Sequence, residues 1–568
     1  MAEVELWLNQ DVFNLGVVYA HVKLSVTYLR KVVIYAKSKG IDGGYPDLSW
    51  NIWKHMAVNK MLMEEDLAWA YFEMFYNLMD LSSKQRIELA ELQHQYAESD
   101  SPALYKQDMR VPTLQFVLFL FIQQTNKSSL RRSLLGDEWP GASPRSFEGS
   151  KGDSSSNILN EQKHVQFVLS HLLQMLEILS EINKDSDTTL HCDVVKALGF
   201  IIKGRILGQN NILSLYDIAV RHRVQVKSGY QKTEGCFAVR IFEAWVRSSL
   251  SDNPYGVMSC SINGSSLKWS KSVSDSRKRA RVLTNAYYAP NNSKLIFFTQ
   301  CSNQTIARQS DILDGSYVKL HRCHDTHFYL LSPLRCVTIE KCTGSTFVLG
   351  PVAVAVRIVG CTNITLIAPC RFIVVSASSE VVLYVTTPTQ PIISSDNNTL
   401  SSQPITLAPY NTFYPELESH LASIGLTVSP QTDQWNNPVC VGNSGNISLS
   451  QSRLSNSFKG AGDMTDMQAL FKIMKPSDFY LFTIPFKPNT SSIDCSTSEI
   501  PGGLPAEYAQ AVKGKQRATE RWKRAVKESS MTKDERKQFQ SLVEEQFKKW
   551  VVESGNQRQL DDLGKKSI

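Results

Sequence analysis

No run of this sequence is long and apolar enough to cross a bilayer: the longest, Phe116 to Ile122, falls far short of the roughly 20 residues a membrane helix requires. Met1 to Leu15 has neither the basic start nor the apolar stretch of a secretory signal, so a soluble, non-secreted protein is expected. The 11 scattered cysteines include no CxxC pair, which excludes the common zinc and disulfide frameworks and predicts reduced thiols. Sequons such as Asn303, Asn363 and Asn446 then carry no weight. Walker loop, dinucleotide fingerprint, GxSxG elbow and HExxH pair are all missing, so a freestanding catalyst has no chemical starting point. An excess of one charge is missing too. With 61 Lys and Arg against 54 Asp and Glu, the net +7 is too mild to demand nucleic acid or an anionic membrane.

What is present is a globular composition, 42% hydrophobic and 10% aromatic, over a length of 568 residues that implies three or so domains. Residues 1–250 read as helical. Leu67, Trp69, Ala70, Phe72, Met74, Phe75 and Leu78 crowd one stripe, and Leu114 to Ile122, Val165 to Leu176, Ala197 to Ile206 and Phe242 to Leu250 continue the pattern. Trp50, Trp53, Trp69 and Tyr71 could cage a ligand, but at this spacing they read as core. A Gly/Ser/Pro-rich loop near 140–160 interrupts the helices. Residues 251–279 form a linker ending in the basic run Arg277 to Arg281, which reads either as a nuclear or acidic-partner signal or as solvated surface.

Residues 280–428 have a different texture, with short β-branched runs and an internal repeat. Val318 to Cys323, Val337 to Cys342 and Val356 to Cys361 share one pattern at an interval of 19 residues, and each is followed by a second apolar run at Phe328, Phe347 and Leu366. A coil that cannot bury its apolar face alone must stack on the next, so the repeat predicts a right-handed parallel β-helix whose cysteines form a buried ladder. His321, Cys323, His324 and His327 lie within seven residues, but two fall in a turn and no second cluster completes a metal set, so no metal is expected. Residues 429–504 are loop-rich with one strand near Asp478 to Pro485. Residues 505–555 form a helical hairpin, the second helix opened by a Thr532 and Glu535 capping box and carrying Phe539, Leu542, Val543, Phe547 and Trp550 on one face. Its first helix is strongly basic between Lys513 and Lys527. That face could meet acidic tails, a membrane or nucleic acid, or could be solvated with Trp522 packed inward.

Phe347-Val-Leu-Gly-Pro-Val352, Thr389-Gln-Pro-Ile-Ile393, Leu407-Ala-Pro-Tyr410 and Tyr414-Pro415 together resemble the C-CAP/cofactor C-like domain of tubulin-folding cofactor C (TBCC), the retinitis pigmentosa 2 protein and cyclase-associated proteins. Leu331-Ser-Pro-Leu-Arg335, Glu499-Ile-Pro-Gly-Gly-Leu504, Asp66-Leu-Ala-Trp69 and Glu138-Trp-Pro140 extend the likeness to TBCC-domain proteins with a helical N-terminal half. The resemblance implies a multidomain α + β protein with this β-helix in the middle and a helical C-terminal tail. In the enzyme-like relatives the domain activates a GTPase through an arginine one coil after the Gly-Pro-Val motif. Counting back from Thr389 places Val374 at that position, so the arginine finger is absent, and Arg371 lies at an odd strand offset from it.

The resemblance therefore implies a non-catalytic adaptor, without cofactor, in the cytoplasm and cytoskeleton at the centrosome and spindle pole. It would regulate centrosome and Golgi positioning, with consequences for cell shape and migration. Its partners would be proteins: centrosomal components, tubulin or a small GTPase. Arg335, Arg357, Arg371 and Gln390 are the candidate partner-binding residues. The alternative is a GTPase-activating protein or folding cofactor for tubulin or an Arf-like GTPase, using Arg371.

Overall fold

The computed structural model describes residues 4–15, 24–38, 45–97, 105–136, 155–180, 189–209, 211–254, 257–262, 294–308, 313–394, 404–427, 429, 431–441, 447–448, 470–484, 500–554 and 557. The Gly/Ser/Pro-rich loop as far as residue 154 and the basic run 277–281 lie outside them.

The N-terminal half is mainly helical because its apolar stripes have one another to bury against. Glu65–Leu78, Thr113–Gly136 and Ser155–Leu179 share one core, in which Trp53 stands edge-on to Phe116 at 4.9 Å and gives its indole N–H to the Ala68 carbonyl at 2.9 Å. The candidate-cage aromatics Trp50, Trp53, Trp69 and Tyr71 are all buried there. Short strands that a helical reading overlooks complete this half. The expected helix through Ala197 to Ile206 stops at Leu198, and Ile202–Ile206 instead pairs antiparallel with Val4–Leu8. Gly204 permits that pairing: a Cβ there would meet Leu6 at 2.6 Å and the Glu5 carbonyl at 2.7 Å. Two further small sheets join Asp47–Ser49 to Arg110–Pro112 and Thr189–His191 to Cys236–Ala238 and Tyr230–Gln231.

From residue 295 to 394 the chain winds about five turns of parallel β-helix. One wall is a nine-stranded sheet, parallel except at its last pair, containing Leu295–Thr299, Ser316–His321, Leu334–Glu340, Val352–Val359 and Ile373–Ser376 in that spatial order. The facing wall is a seven-stranded sheet containing His327–Leu330, Thr346–Leu349, Thr362–Pro369 and Ser379–Thr386. In-register pairing stacks like on like. Ile296, Val318, Val337, Val356 and Ile373 form one interior column, and Phe298, Leu320, Ile339, Ile358, Val375 and Ile393 form the next. Phe328 stacks on Phe347 at 5.4 Å and 10° in the opposite wall.

The cysteine column turns the corner between the walls. Each buried Cys follows a residue with left-handed backbone (Gln300, Arg322, Lys341, Gly360), which reverses the chain in a single step. The column is longer than the 19-residue repeat suggests. It begins at Cys301, 22 residues before Cys323, and ends at Ser378, 17 after Cys361, whose hydroxyl accepts the Cys361 N–H at 3.0 Å. Cys323 belongs to this column, whereas His324 is exposed on the corner and bonded to Thr343.

Ala506–Glu528 and Lys533–Glu553 form the C-terminal pair of helices, the second started by the Thr532/Glu535 capping box. The N-terminal half of the first is anchored on the β-helix: Tyr508 gives its hydroxyl to the Met474 carbonyl at 2.6 Å and lies edge-on to Phe479, Val512 packs on the same core, and the Lys515 Nζ donates to the Phe479 carbonyl at 2.8 Å. Trp522 is not packed inward; it is 53% exposed and touches Phe539.

Candidate functional site

On a β-helix strand, residues alternate between interior and exterior. On the nine-stranded wall one exterior column runs Tyr317, Cys336, Ala355, and the next runs Phe297, Lys319, Thr338, Arg357, Val374, Ile392, Val439. An exterior column ordinarily faces water. Here Tyr317, Cys336, Val354, Ala355, Phe372, Val374, Ile392 and Val439 are buried and belong to the same continuous core as the N-terminal helices. The chain thus covers this wall with its own first half, and all four candidate binding residues lie at or beside the seam.

Arg335 reaches across to Asp11 of the helix Gln10–Asn14 and grips both carboxylate oxygens, its Nε at 2.8 Å from Oδ1 and its Nη2 on Oδ2, while the Tyr317 hydroxyl donates to Oδ1 at 2.6 Å. Burial works to raise the Asp11 pKa, but the Arg335 charge and these hydrogen bonds outweigh it and hold the carboxyl below its ordinary value of 3.8. Arg357 is half-buried beside Val374, within electrostatic reach of Glu340, which also pairs with Lys319 at 3.5 Å. Opposite them His164 stacks on Phe13 at 4.7 Å. Burial, reinforced by the Arg357 and Lys319 charges, pushes the His164 imidazole down to about 4, so it is neutral at pH 7.

Arg371 is buried and held entirely by neutral acceptors: its Nε donates to the Ala353 carbonyl at 2.8 Å and its Nη2 to the carbonyls of Ile424 and Gly425 at 3.0 and 3.1 Å. Burial, with Arg86 nearby, lowers its pKa to about 9. Gly425 lies at φ +62°, and a Cβ there would meet the Ser83 carbonyl at 2.6 Å, so the helix Ser83–Ala97 sits directly against this turn. Gln390 contributes its backbone: its N–H donates to the Glu73 carboxylate, which burial nevertheless pushes up to about 7 despite Lys106.

A cleft of about 530 Å³ opens along the seam, with Asp80, Arg86, Asp314, Arg335 and His420 in its lining. The partners of the predicted residues, namely Asp11, Tyr317, Glu73 and Glu340, were not singled out by sequence reasoning. One sequence signal does mark the covered wall: Val352-Ala-Val-Ala-Val356 and Phe372-Ile-Val-Val375 are unbroken apolar runs, the signature of a strand buried on both faces.

Comparison with known proteins agrees with this architecture. The family model for tubulin binding cofactor C matches residues 315–439, the heart of the β-helix. The TBCC domain-containing protein 1 of Bos taurus is 37% identical over 576 residues, covering 99% of this chain and 97% of that protein. That of Mus musculus is 37% identical over 572 residues, covering 99% and 98%. That of Homo sapiens is 36% identical over 576 residues, covering 99% and 97%.

Proposed function

Taking as premise that the chain belongs to the TBCC domain-containing protein 1 family, we propose that it acts as a non-catalytic adaptor that holds protein partners and regulates where the centrosome and Golgi apparatus sit, with cell shape and migration following from that. The observation that carries the reading is the state of the nine-stranded wall. Val374, at the position where the enzyme-like relatives are expected to carry an arginine, is apolar and buried beneath the N-terminal helices. An arginine finger must present its guanidinium to a bound phosphate. The nearest alternative, Arg371, gives its donors to three backbone carbonyls instead.

A rigid solenoid whose own helices occupy one wall is suited to presenting its remaining surfaces and attached segments to partners. Tubulin and centrosomal proteins are the partner classes this reading names, in the cytoplasm and at the spindle pole. Proximity labelling in cells tests it, comparing the full chain with a form lacking residues 280–428. Centrosomal neighbours that depend on those residues are expected. A neighbour set without centrosomal or cytoskeletal proteins, or one unchanged by the deletion, would refute the reading.

A further inference from the structure

The cleft of about 530 Å³ on the seam is lined by two arginines whose donors are only partly used. Arg86, on the helix Ser83–Ala97 of the N-terminal half, gives Nη2 to the carbonyls of Asn77 and Met79 at 3.2 and 2.6 Å and forms an ion pair with no carboxylate among the described residues. Arg335 enters from the β-helix side and spends Nε and Nη2 on Asp11. That leaves Nε and Nη1 of Arg86 and Nη1 of Arg335 without a hydrogen-bond partner among the described residues, and none of the three is sealed from solvent. A third arginine stands behind the lining, since Arg371 donates to the carbonyls of Ala353 and Ile424, which both border the cleft. Of the charges acting on Arg86, Arg335 is the strongest and repels it, ahead of the attraction from Asp80 or Asp11. The fold has thus brought two guanidinium groups together across an open recess, and an anion entering between them would relieve their repulsion.

We propose that this cleft binds a small-molecule phosphate monoester, its phosphate seated between Arg86 and Arg335 and its organic part lying over Leu81, Leu334 and Val354. A phosphate presents oxygens in several directions and can accept from both guanidinium groups, whereas a planar carboxylate matches one fork. The acids of the lining limit the charge of the ligand. Exposed Asp80 and half-buried Asp314 would repel a polyphosphate or a nucleic-acid backbone, and His420 beside Asp314 is neutral at pH 7 because burial lowers its pKa below 6.5. The size of the recess, about 530 Å³, lies in the range of roughly 300–1,000 Å³ usual for small-molecule sites. The proposal does not depend on the adaptor reading.

The test titrates the full chain with glycerol 3-phosphate, followed by calorimetry and by the phosphorus NMR signal of the ligand. Inorganic phosphate, acetate, tripolyphosphate and a phosphoserine pentapeptide run in parallel at matched ionic strength. Glycerol 3-phosphate is expected to bind saturably and more tightly than any of the four. Arg86→Gln should weaken it at least about tenfold, the loss of charge-assisted hydrogen bonds. Arg86 also holds two carbonyls, so Asp80→Asn supplies a second variant at an exposed position. Removing that repelling charge should tighten binding about twofold or more. Absence of saturable binding, or an affinity unchanged in both variants, would overturn the proposal. So would tighter binding of tripolyphosphate, which marks general charge attraction, or of the peptide, which marks a phosphorylated protein as the ligand.

Discussion

Replacing Arg335 with methionine should loosen the N-terminal half from the β-helix, because it strands the buried carboxylate of Asp11. The Asp11 side chain is only 5% exposed and Arg335 24%, so neither charge has water as a ready substitute. Two unit charges at about 4 Å attract by about 4 kcal/mol at an effective dielectric of 20. Removing one partner of such a pair typically costs about 3–5 kcal/mol, and that is the loss expected here. A chain of several domains does not unfold in one step, so the readout is the opening free energy of the seam by hydrogen exchange over residues 4–15 and 316–340.

Asp11→Leu combined with Arg335→Met removes both charges and should recover most of the loss, ending within about 1–2 kcal/mol of wild type. The pH dependence has a defined sign. The folded pKa of Asp11 is depressed, so its contribution is present above about 3.8, the unfolded value, and is lost as pH falls through the folded value. An Arg335→Met variant within about 0.5 kcal/mol of wild type, or a double variant whose loss equals the sum of the singles, would refute the idea that this pair latches the two halves.

Glu73 has the opposite sign: with its folded pKa raised to about 7 from 4.5, stability is full below 4.5 and declines as pH rises toward 7. Glu73→Gln should remove that decline and gain about 3 kcal/mol at pH 8 in chemical denaturation, and an unchanged pH profile would count against it. Arg371→Ala leaves three carbonyls, that of Gly425 fully buried and the other two partly so, without their donor and should cost about 1–3 kcal/mol, seen as faster proteolysis near residues 424–425; a neutral result would contradict the packing described. Val374→Arg buries a second guanidinium beside Arg357, so it should destabilise the seam by several kcal/mol and create no GTPase activation; a stable, activating variant would show that this wall opens. Phe347→Ala, emptying the fully buried ring stacked on Phe328, should cost about 3–5 kcal/mol by denaturant titration, and a loss under about 1 kcal/mol would mean the coil can collapse around the gap.

The β-helix was legible because three coils of equal length repeat the same valine-to-cysteine strand, and a period is visible without any structure. Cys301 and Ser378 escaped because their coils are 22 and 17 residues long, so the ladder continues in space where the interval fails in sequence. The arginines were legible as charges but not as partners. What Arg335 meets lies 324 residues away at Asp11, and no local pattern announces a contact across that distance. The small antiparallel sheets of the N-terminal half were hidden by their length, two to five residues each, embedded among strong helical stripes. The unbroken apolar runs at 352–356 and 372–375 did carry the information that one wall is covered on both sides.

The expectation of no arginine-finger chemistry rests on the apolar, buried Val374 of that covered wall, and single-turnover GTP hydrolysis tests it most directly. Tubulin and a panel of Arf-like GTPases, each loaded with GTP, would be mixed with excess full-length chain or with Arg371→Ala. The account predicts rates equal to those of the GTPase alone in both cases. Acceleration by the wild type that is lost in Arg371→Ala would contradict it.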